Sequence, residues 1–381
     1  MKPVRFIHTS DIHLDTSFSA SGFPSRLGHR KREAIRATFR RILQEAREQE
    51  VDFVLVGGDL FEHDRVTQDT VQFLKQQFES LGGTPVFIAP GNHDPCVQSS
   101  PYCEETWPDN VRIFREERFD CIELPDLGIR VAGFGFNRTW VPEHPFLTLG
   151  SLPADGFNIV LLHGSDTTRV PAGKVLHAPF TVDEVAGKNV GYCGLGHYHQ
   201  QHSVPNAVDR AEIWYPGIPE GRGWDEAGDC GYLLGEIDTG TVTVTGRICN
   251  QYPLQTVTID CEAFSSREQI VEALFQQQGS SLDARTILRV RLVGLLDPRL
   301  GLSLEEMEER VADRLLHIQW IDETRPALDF EALSLQNTLC GRFVRQLNRQ
   351  IEQAGPEDRE TLERARIYGI TALLGQKVRL R

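Results

Sequence analysis

VRFIHTSDIHLD, residues 4–15, is an apolar run that breaks into a polar loop carrying Asp11 and His13, and four more segments repeat that grammar in order. They are FVLVGGDLFE (53–62), PVFIAPGNHDP (85–95), FNIVLLHG (157–164) and VGYCGLGHYH (190–199). Each apolar run is short enough for a buried strand, and each is followed at once by Asp, Asn or His with glycine close by. Between the first three runs lie segments 28–48 and 66–81, whose apolar residues recur at helical spacing: Ile35, Phe39, Ile42 and Leu43, then Val71, Phe73, Leu74 and Phe78. A β-α-β-α-β order predicts an α/β fold with a parallel sheet and right-handed crossovers. In such a sheet, ligands bind beyond the carboxyl ends of the strands, so five strands deliver their loops to one rim.

IRVAGFGF (129–136) reads as a further strand, and AEIWYPG (211–217), GYLLGEID (231–238) and TVTVTGRI (241–248) read as antiparallel strands. The texture changes near 250–256. QTVTID and RTILRVRLVG read as strands with a helix over 266–278 between them, and helices are expected at 303–316, 331–353 and 357–374. The expected organisation is one domain over 1–252, a smaller α+β capping domain over 253–330 and a helical tail over 331–381.

Eight cysteines are scattered without a C-x-x-C pair, which excludes zinc-ribbon and redox motifs and suits a reducing, cytoplasmic compartment. No run approaches 18 apolar residues, so no membrane span is expected, and the N-terminus lacks a signal-peptide core. A net charge of −14 argues against coating nucleic acid by charge alone. Residues 26–47 nevertheless carry eight Arg or Lys against two Glu. This helix is either a solvated face or a contact for a phosphate backbone, with Arg36, Arg40 and Arg41 as the candidate residues.

The loop residues suit a metal pair. Asp11 and His13 are two apart, so an extended backbone would send both side chains the same way, and His197 and His199 repeat that spacing. Asp59 has two carboxylate oxygens and can bridge two ions. Imidazole, carboxylate and amide without thiolate favour manganese, iron or zinc over calcium. Asp11, His13, Asp59, Asn92, His163, His197 and His199 bring only two formal negative charges. Two divalent cations and a hydroxide would leave such a site near +1, attractive to a phosphate ester, and would acidify water to make the nucleophile. For one motif alone, a packed polar residue at a loop entry is an equally good reading. The ordered set of five makes that reading untenable.

On HTSDIHLD, GGDLFE and GNHD the chain resembles the calcineurin-like metallophosphoesterases, and within them the SbcD-type nuclease subunits of DNA-repair exonucleases and their YhaO-type bacterial relatives. The likeness covers residues 1–250 and fades beyond. It implies a four-layer αββα sandwich with two metals, manganese foremost. Asp11, His13, Asp59 and His199 would hold one, and Asp59, Asn92, His163 and His197 the other. His93 would face the scissile phosphate as general acid or charge stabiliser, oriented by Asp94. Some nuclease relatives place a second phosphate-facing His after Asp-Leu-Phe, where this chain has Glu62.

The implied activity is hydrolysis of DNA phosphodiesters in complex with an SbcC-like coiled-coil ATPase, docked through the tail, and a homodimer is compatible with it. The alternatives are a phosphoesterase for a small monoester, cyclic nucleotide or phosphoprotein, and a non-catalytic module that keeps the fold. Outside the motifs, His8 is read as core. His29, His144, His177 and His317 are read as surface or structural, and His202 as structural rather than lining the site. Trp140 and Trp224 are read as core more readily than as base-stacking, and Asp15 either as a support to the site or not.

Overall fold

The computed structural model describes residues 2–19, 22–171, 173–279, 282–297, 300, 302–375 and 378. It divides into two compact units, Met1–Leu254 and Gln255–Arg381.

The first unit opens with β1 (Val4–Thr9), α1 (Ser25–Glu48), β2 (Phe53–Val56), α2 (Gln68–Glu79), β3 (Val86–Ile88), α3 (Pro101–Glu104) and β4 (Val111–Ile113). It continues with β5 (Asp120–Leu124), β6 (Ile129–Phe134), β7 (Phe157–His163), α4 (Val182–Val185), β8 (Tyr192–Gly196), β9 (His202–Val204), β10 (Glu212–Tyr215), β11 (Gly231–Asp238) and β12 (Thr241–Ile248). These strands form two six-stranded sheets, ordered β12-β11-β1-β2-β3-β4 and β5-β6-β7-β8-β10-β9. The β1-β2-β3-β4 run is parallel, as are β6-β7-β8.

Strands covered on both faces need apolar residues on both, which is why they lack a polar alternation. Phe6, Phe53, Leu55, Phe87, Val131, Ile159, Leu161 and Tyr192 fill the space between the sheets. The opposite residues, such as Ile7, Val54, Val56, Val86 and Ile88, pack under Ile35, Phe39, Ile42, Leu74 and Phe78 of α1 and α2. A separate apolar cluster, including Phe134, Val160, Leu162, Val185 and Cys193, covers the outer face of the second sheet. The result is the expected αββα layering.

Three expectations change. The antiparallel reading holds for β11 and β12, but β10 pairs parallel with β8 and antiparallel only with β9. The three-residue β9 is too short to show a period, so sequence carries no sign of the hairpin that returns β10 to β8. The helix expected at 66–81 is shorter, because Thr67 caps it by accepting from the Thr70 amide. The basic helix is not a uniformly wet face: Lys31 is fully buried, where its ammonium pairs with Glu220. Glu220 also accepts from the Gln251 amide and the Thr38 hydroxyl.

The second unit contains β13 (Leu254–Asp260), α5 (Arg267–Gln278), β14 (Ile287–Val293), β15 (Leu295–Leu296), α6 (Leu304–Glu309), β16 (His317–Asp322), β17 (Arg325–Pro326), α7 (Phe330–Leu335), α8 (Leu339–Gln353) and α9 (Pro356–Leu373). Strands β13, β14 and β16 form a sheet whose core includes Ile259, Ile270, Leu274, Val290, Leu292, Met307 and Ile318. The helix expected over 303–316 stops at Glu309, and that over 331–353 breaks at 336–338, where Thr338 caps α8. Helices α8 and α9 pack with Phe343 against Gly369, where any side chain would collide with the ring. Among the described residues, no helix is long and apolar enough to cross a membrane.

Candidate active site

The five motif loops converge at the carboxyl ends of β1, β2, β3, β7 and β8. The first two are laced together: Asp11, His13 and Leu14 amides donate to the carbonyls of Gly58, Asp59 and Leu60, and the Glu62 amide returns to Leu14. Asp11 and His13 do not point alike through an extended backbone. Asp11, His13, Asp59 and His197 have φ of 53°, 51°, 51° and 104°. Four non-glycine residues in the left-handed region, each costing on the order of 1–3 kcal/mol, persist only where surrounding contacts over-determine them, and such strain gathers at functional sites. Glycine is required beside them. A side chain at Gly91 would lie 2.4 Å from Asp59 Oδ1 and 2.7 Å from His163 Nδ1.

Ligand atoms of Asp11, His13 and His199 lie within 4.8 Å of one another, and so do those of Asp11, Asp59 and His163. Asp59 is the hinge between the two groups: its Oδ2 is 3.7 Å from His13 Nε2 and 3.4 Å from His163 Nε2. Asn92 Oδ1 lies 3.1 Å from His163 Nε2. His197 stands at the edge, its ring 5.2 Å from that of His163 and its Nε2 3.1 Å from the Val175 carbonyl.

The donor set fits divalent cations. His13 Nε2 is buried without a hydrogen-bond partner and faces the carboxylates of Asp11 and Asp59. Burial, reinforced by the Arg222 charge, lowers the His13 pKa well below the usual imidazole value, so the ring stays neutral and able to donate a lone pair. Burial likewise lowers His197. Burial would raise Asp59, but the facing imidazoles His163 and His13 hold it low and ionised.

His93 is different. Its side chain is 44% exposed while the ligand side chains around it are buried or nearly so, so it is presented to the outside. Burial would lower its pKa, but the Glu62 hydrogen bond and the charges of Asp59 and Glu62 outweigh that and hold it at about 9. The expected orienting role of Asp94 is therefore corrected. Asp94 accepts from the backbone amides of Asp59, Leu60 and Gly91 and from the Tyr102 hydroxyl, and so braces the loops. The His93 Nδ1 instead meets Glu62 Oε2 at 2.8 Å.

Three further residues beside the site escaped the sequence reading, and a fourth, His177, is read there as surface or structural. Glu226 meets His199 Nδ1 at 2.6 Å, Arg222 pairs with Glu226, Lys174 Nζ is 3.2 Å from His199 Nε2, and the His177 ring lies 5.2 Å from that of His197. Arg222 and Glu226 sit in GRGWDE, whose spacing carries no metal-ligand pattern.

Other candidates fall elsewhere. Arg36 is held by Asp69 and Thr70, while Arg40 and Arg41 are exposed. Asp15 accepts from Thr67 at the start of α2 and faces Arg36, away from the ligands. His8 is core, bonded to Tyr192, and His202 bonds its own loop at Gln200. Trp140 is 55% exposed rather than core, and Trp224 is half-buried against Phe23.

A calcineurin-like phosphoesterase family model matches residues 4–201. An uncharacterised metallophosphoesterase, YhaO, of Bacillus subtilis is 28% identical over 296 residues, covering 74% of this chain and 71% of that one. A DNA double-strand break repair protein, Mre11, of Methanopyrus kandleri is 24% identical over 370 residues, covering 87% and 75%. Among solved structures, a dimetal phosphatase from Danio rerio aligns with 64% of this chain and 96% of its own at 10% identity and a TM-score of 0.44. With more than half its length matched by that family model and the ligand set assembled at the strand ends, the chain belongs to the calcineurin-like phosphoesterases.

Proposed function

We propose that the chain is a metal-dependent phosphodiesterase that cleaves DNA, with manganese as the working metal and iron or zinc as substitutes. The observation that carries this reading is the exposed His93 ring, its Nδ1 taken by Glu62, set beside the buried cluster of Asp11, His13, Asp59 and His163. A protonated imidazole there can bind a phosphate oxygen and give its proton to the leaving oxygen. When bound, a divalent pair supplies an acidified water and offsets charge on the phosphate. Asp11, Asp59, Asn92, His13, His163, His197 and His199 would hold it. The Mre11 likeness supports DNA over a small ester.

The test is Mn2+-dependent cleavage of circular single-stranded DNA and linear duplex, set against a bis-aryl phosphodiester and an aryl monoester. DNA and diester turnover well above monoester turnover is expected. Preferential monoester hydrolysis would overturn the DNA assignment and favour a small-substrate phosphatase.

Arg40, which lies over the Phe73 ring, and Arg41 are exposed and would meet a phosphate backbone, while Arg36 is paired with Asp69 and Thr70 of α2. A triple Arg36/Arg40/Arg41→Ala variant should retain diester turnover while the salt dependence of DNA affinity flattens, by about 0.9 in log–log slope for each phosphate that is no longer neutralised. An unchanged slope would make this helix only a solvated face.

The partner of the tail is proposed to be an SbcC-like coiled-coil ATPase. The apolar residues available to it are exposed leucines of the tail helices. Leu347 is buried, whereas Leu335 and Leu339 are 85% and 67% exposed, and Leu373 and Leu374 are 40% and 45% exposed. Deleting residues 331–381 should spare diester hydrolysis and abolish co-purification with the ATPase. Loss of bound metal on deletion would place these helices in the structural core instead.

A further inference from the structure

Three imidazoles of the site each turn Nδ1 toward a carboxylate. Glu62 spans two of them. Its Oε1 meets His13 Nδ1 at 2.9 Å and its Oε2 meets His93 Nδ1 at 2.8 Å. Glu226 serves the third, with its Oε1 2.6 Å from His199 Nδ1. Arg222 joins the two carboxylates: its Nη2 donates to Glu226 Oε1 at 2.8 Å, and its Nη1 lies 3.6 Å from Glu62 Oε1. The backbone amide of Arg222 also donates to Glu226 Oε2 at 2.6 Å, so the second carboxylate is held at both oxygens.

We propose that Glu62 and Glu226, linked by Arg222, are positioning residues that keep a proton on Nδ1 of His13, His93 and His199, so that Nε2 of His13 and His199 faces a divalent cation and the Nε2 side of His93 faces the substrate phosphate. This rests on the two-metal phosphodiesterase reading.

The chemistry follows from which groups can donate. An ionised carboxylate only accepts hydrogen bonds, so each ring nitrogen facing it must carry the proton. The remaining Nε2 of His13 points at Asp11 and Asp59 and has no hydrogen-bond partner, and that of His199 is 3.5 Å from Asp11 Oδ1. Glu62 also couples two jobs, because one carboxylate sets a cation-facing ring and the phosphate-facing ring together. Its place beside both follows from backbone lacing, since the Glu62 amide donates to Leu14 and the His63 amide to His93. An amide in place of the carboxylate would turn an NH2 group toward one of the two rings. That ring could then no longer donate through Nδ1 and would present N–H inward.

The test uses full-length, metal-free protein labelled with 15N histidine. Imidazole nitrogen shifts distinguish the two neutral forms and the doubly protonated ring, and spectra of His13→Gln, His93→Gln and His199→Gln assign the peaks. The parent should show a protonated Nδ1 for all three. Glu62→Gln should disturb His13 and His93 while sparing His199, and Glu226→Gln should do the reverse. By titration calorimetry, each change should weaken Mn2+ binding roughly 10–100-fold, the range for removing a carboxylate behind a ligating His. Unchanged nitrogen patterns in both variants would overturn the clamp, whatever the metals do. Should Glu62→Gln fail to fold, Glu226→Gln still decides the matter at His199. A parent that shows the nitrogen pattern yet binds no divalent metal would sink the two-metal reading and leave the clamp standing.

Discussion

Asp59→Asn should lower turnover on a bis-aryl phosphodiester by on the order of 10³-fold or more, since a buried carboxylate that faces both His13 and His163 loses its charge. Metal analysis should show stoichiometry falling from two ions per chain toward one. The expectation comes from position. Asp59 Oδ2 lies between His13 and His163, and Asp59 Oδ1 accepts from the His93 amide at 2.8 Å. An asparagine keeps the volume but loses the negative charge, and its NH2 group would face either the His93 amide, which needs an acceptor, or the side that a cation would occupy. The protein should stay folded, because Asp94, not Asp59, carries the hydrogen bonds that tie the Asp59 and Gly91 loops. Turnover near that of the parent with two metals bound would remove Asp59 from the centre of the site.

His93→Gln is expected to leave both metals in place and to reduce turnover by roughly 10²–10⁴-fold, the range for losing a positioned proton donor. The loss should fall on kcat for substrates with poor leaving groups and shrink for an activated aryl leaving group, which needs less protonation. The structure separates this residue from the ligands. Its ring is the exposed one, its Nδ1 is taken by Glu62, and the Glu62 and Asp59 charges hold its pKa at about 9. It therefore carries a proton at neutral pH, which a metal ligand could not. Loss of a metal ion in this variant would make His93 a ligand instead.

Much of this site is legible in the chain alone. The strands show as short apolar runs because both faces of each central strand are covered, and the ligands show because each follows its strand directly, among glycines that let the loops turn tightly. The register of β10 is not legible, since its parallel pairing with β8 depends on the three-residue β9. Nor is the buried face of the tail. Leu335 and Leu339 fit a helical spacing on paper, but the chain breaks at 336–338 and the buried face becomes Val344, Leu347 and Ile351. Trp140 shows the same limit, because a large aromatic ring is usually buried and only the fold says that this one is not.

By itself the sequence determined an α/β fold with a parallel sheet, the five ligand-bearing loops and the chemistry of their donors, while the αββα layering was what its resemblance to the metallophosphoesterases implied. The first three rest on local quantities: the period of apolar residues, the short polar loop after each strand, and the pairing of a carboxylate with imidazoles. Only the tertiary structure decided that Glu62 rather than Asp94 holds His93, that Arg222 and Glu226 stand behind His199, and that Asp11 and His13 reach the site through a left-handed rather than an extended backbone. The physical reason is that a hydrogen-bond partner is chosen by distance in space. Glu62 lies 49 residues from His13 and 31 from His93, and no period or spacing in the chain joins them until the two loops are laced together.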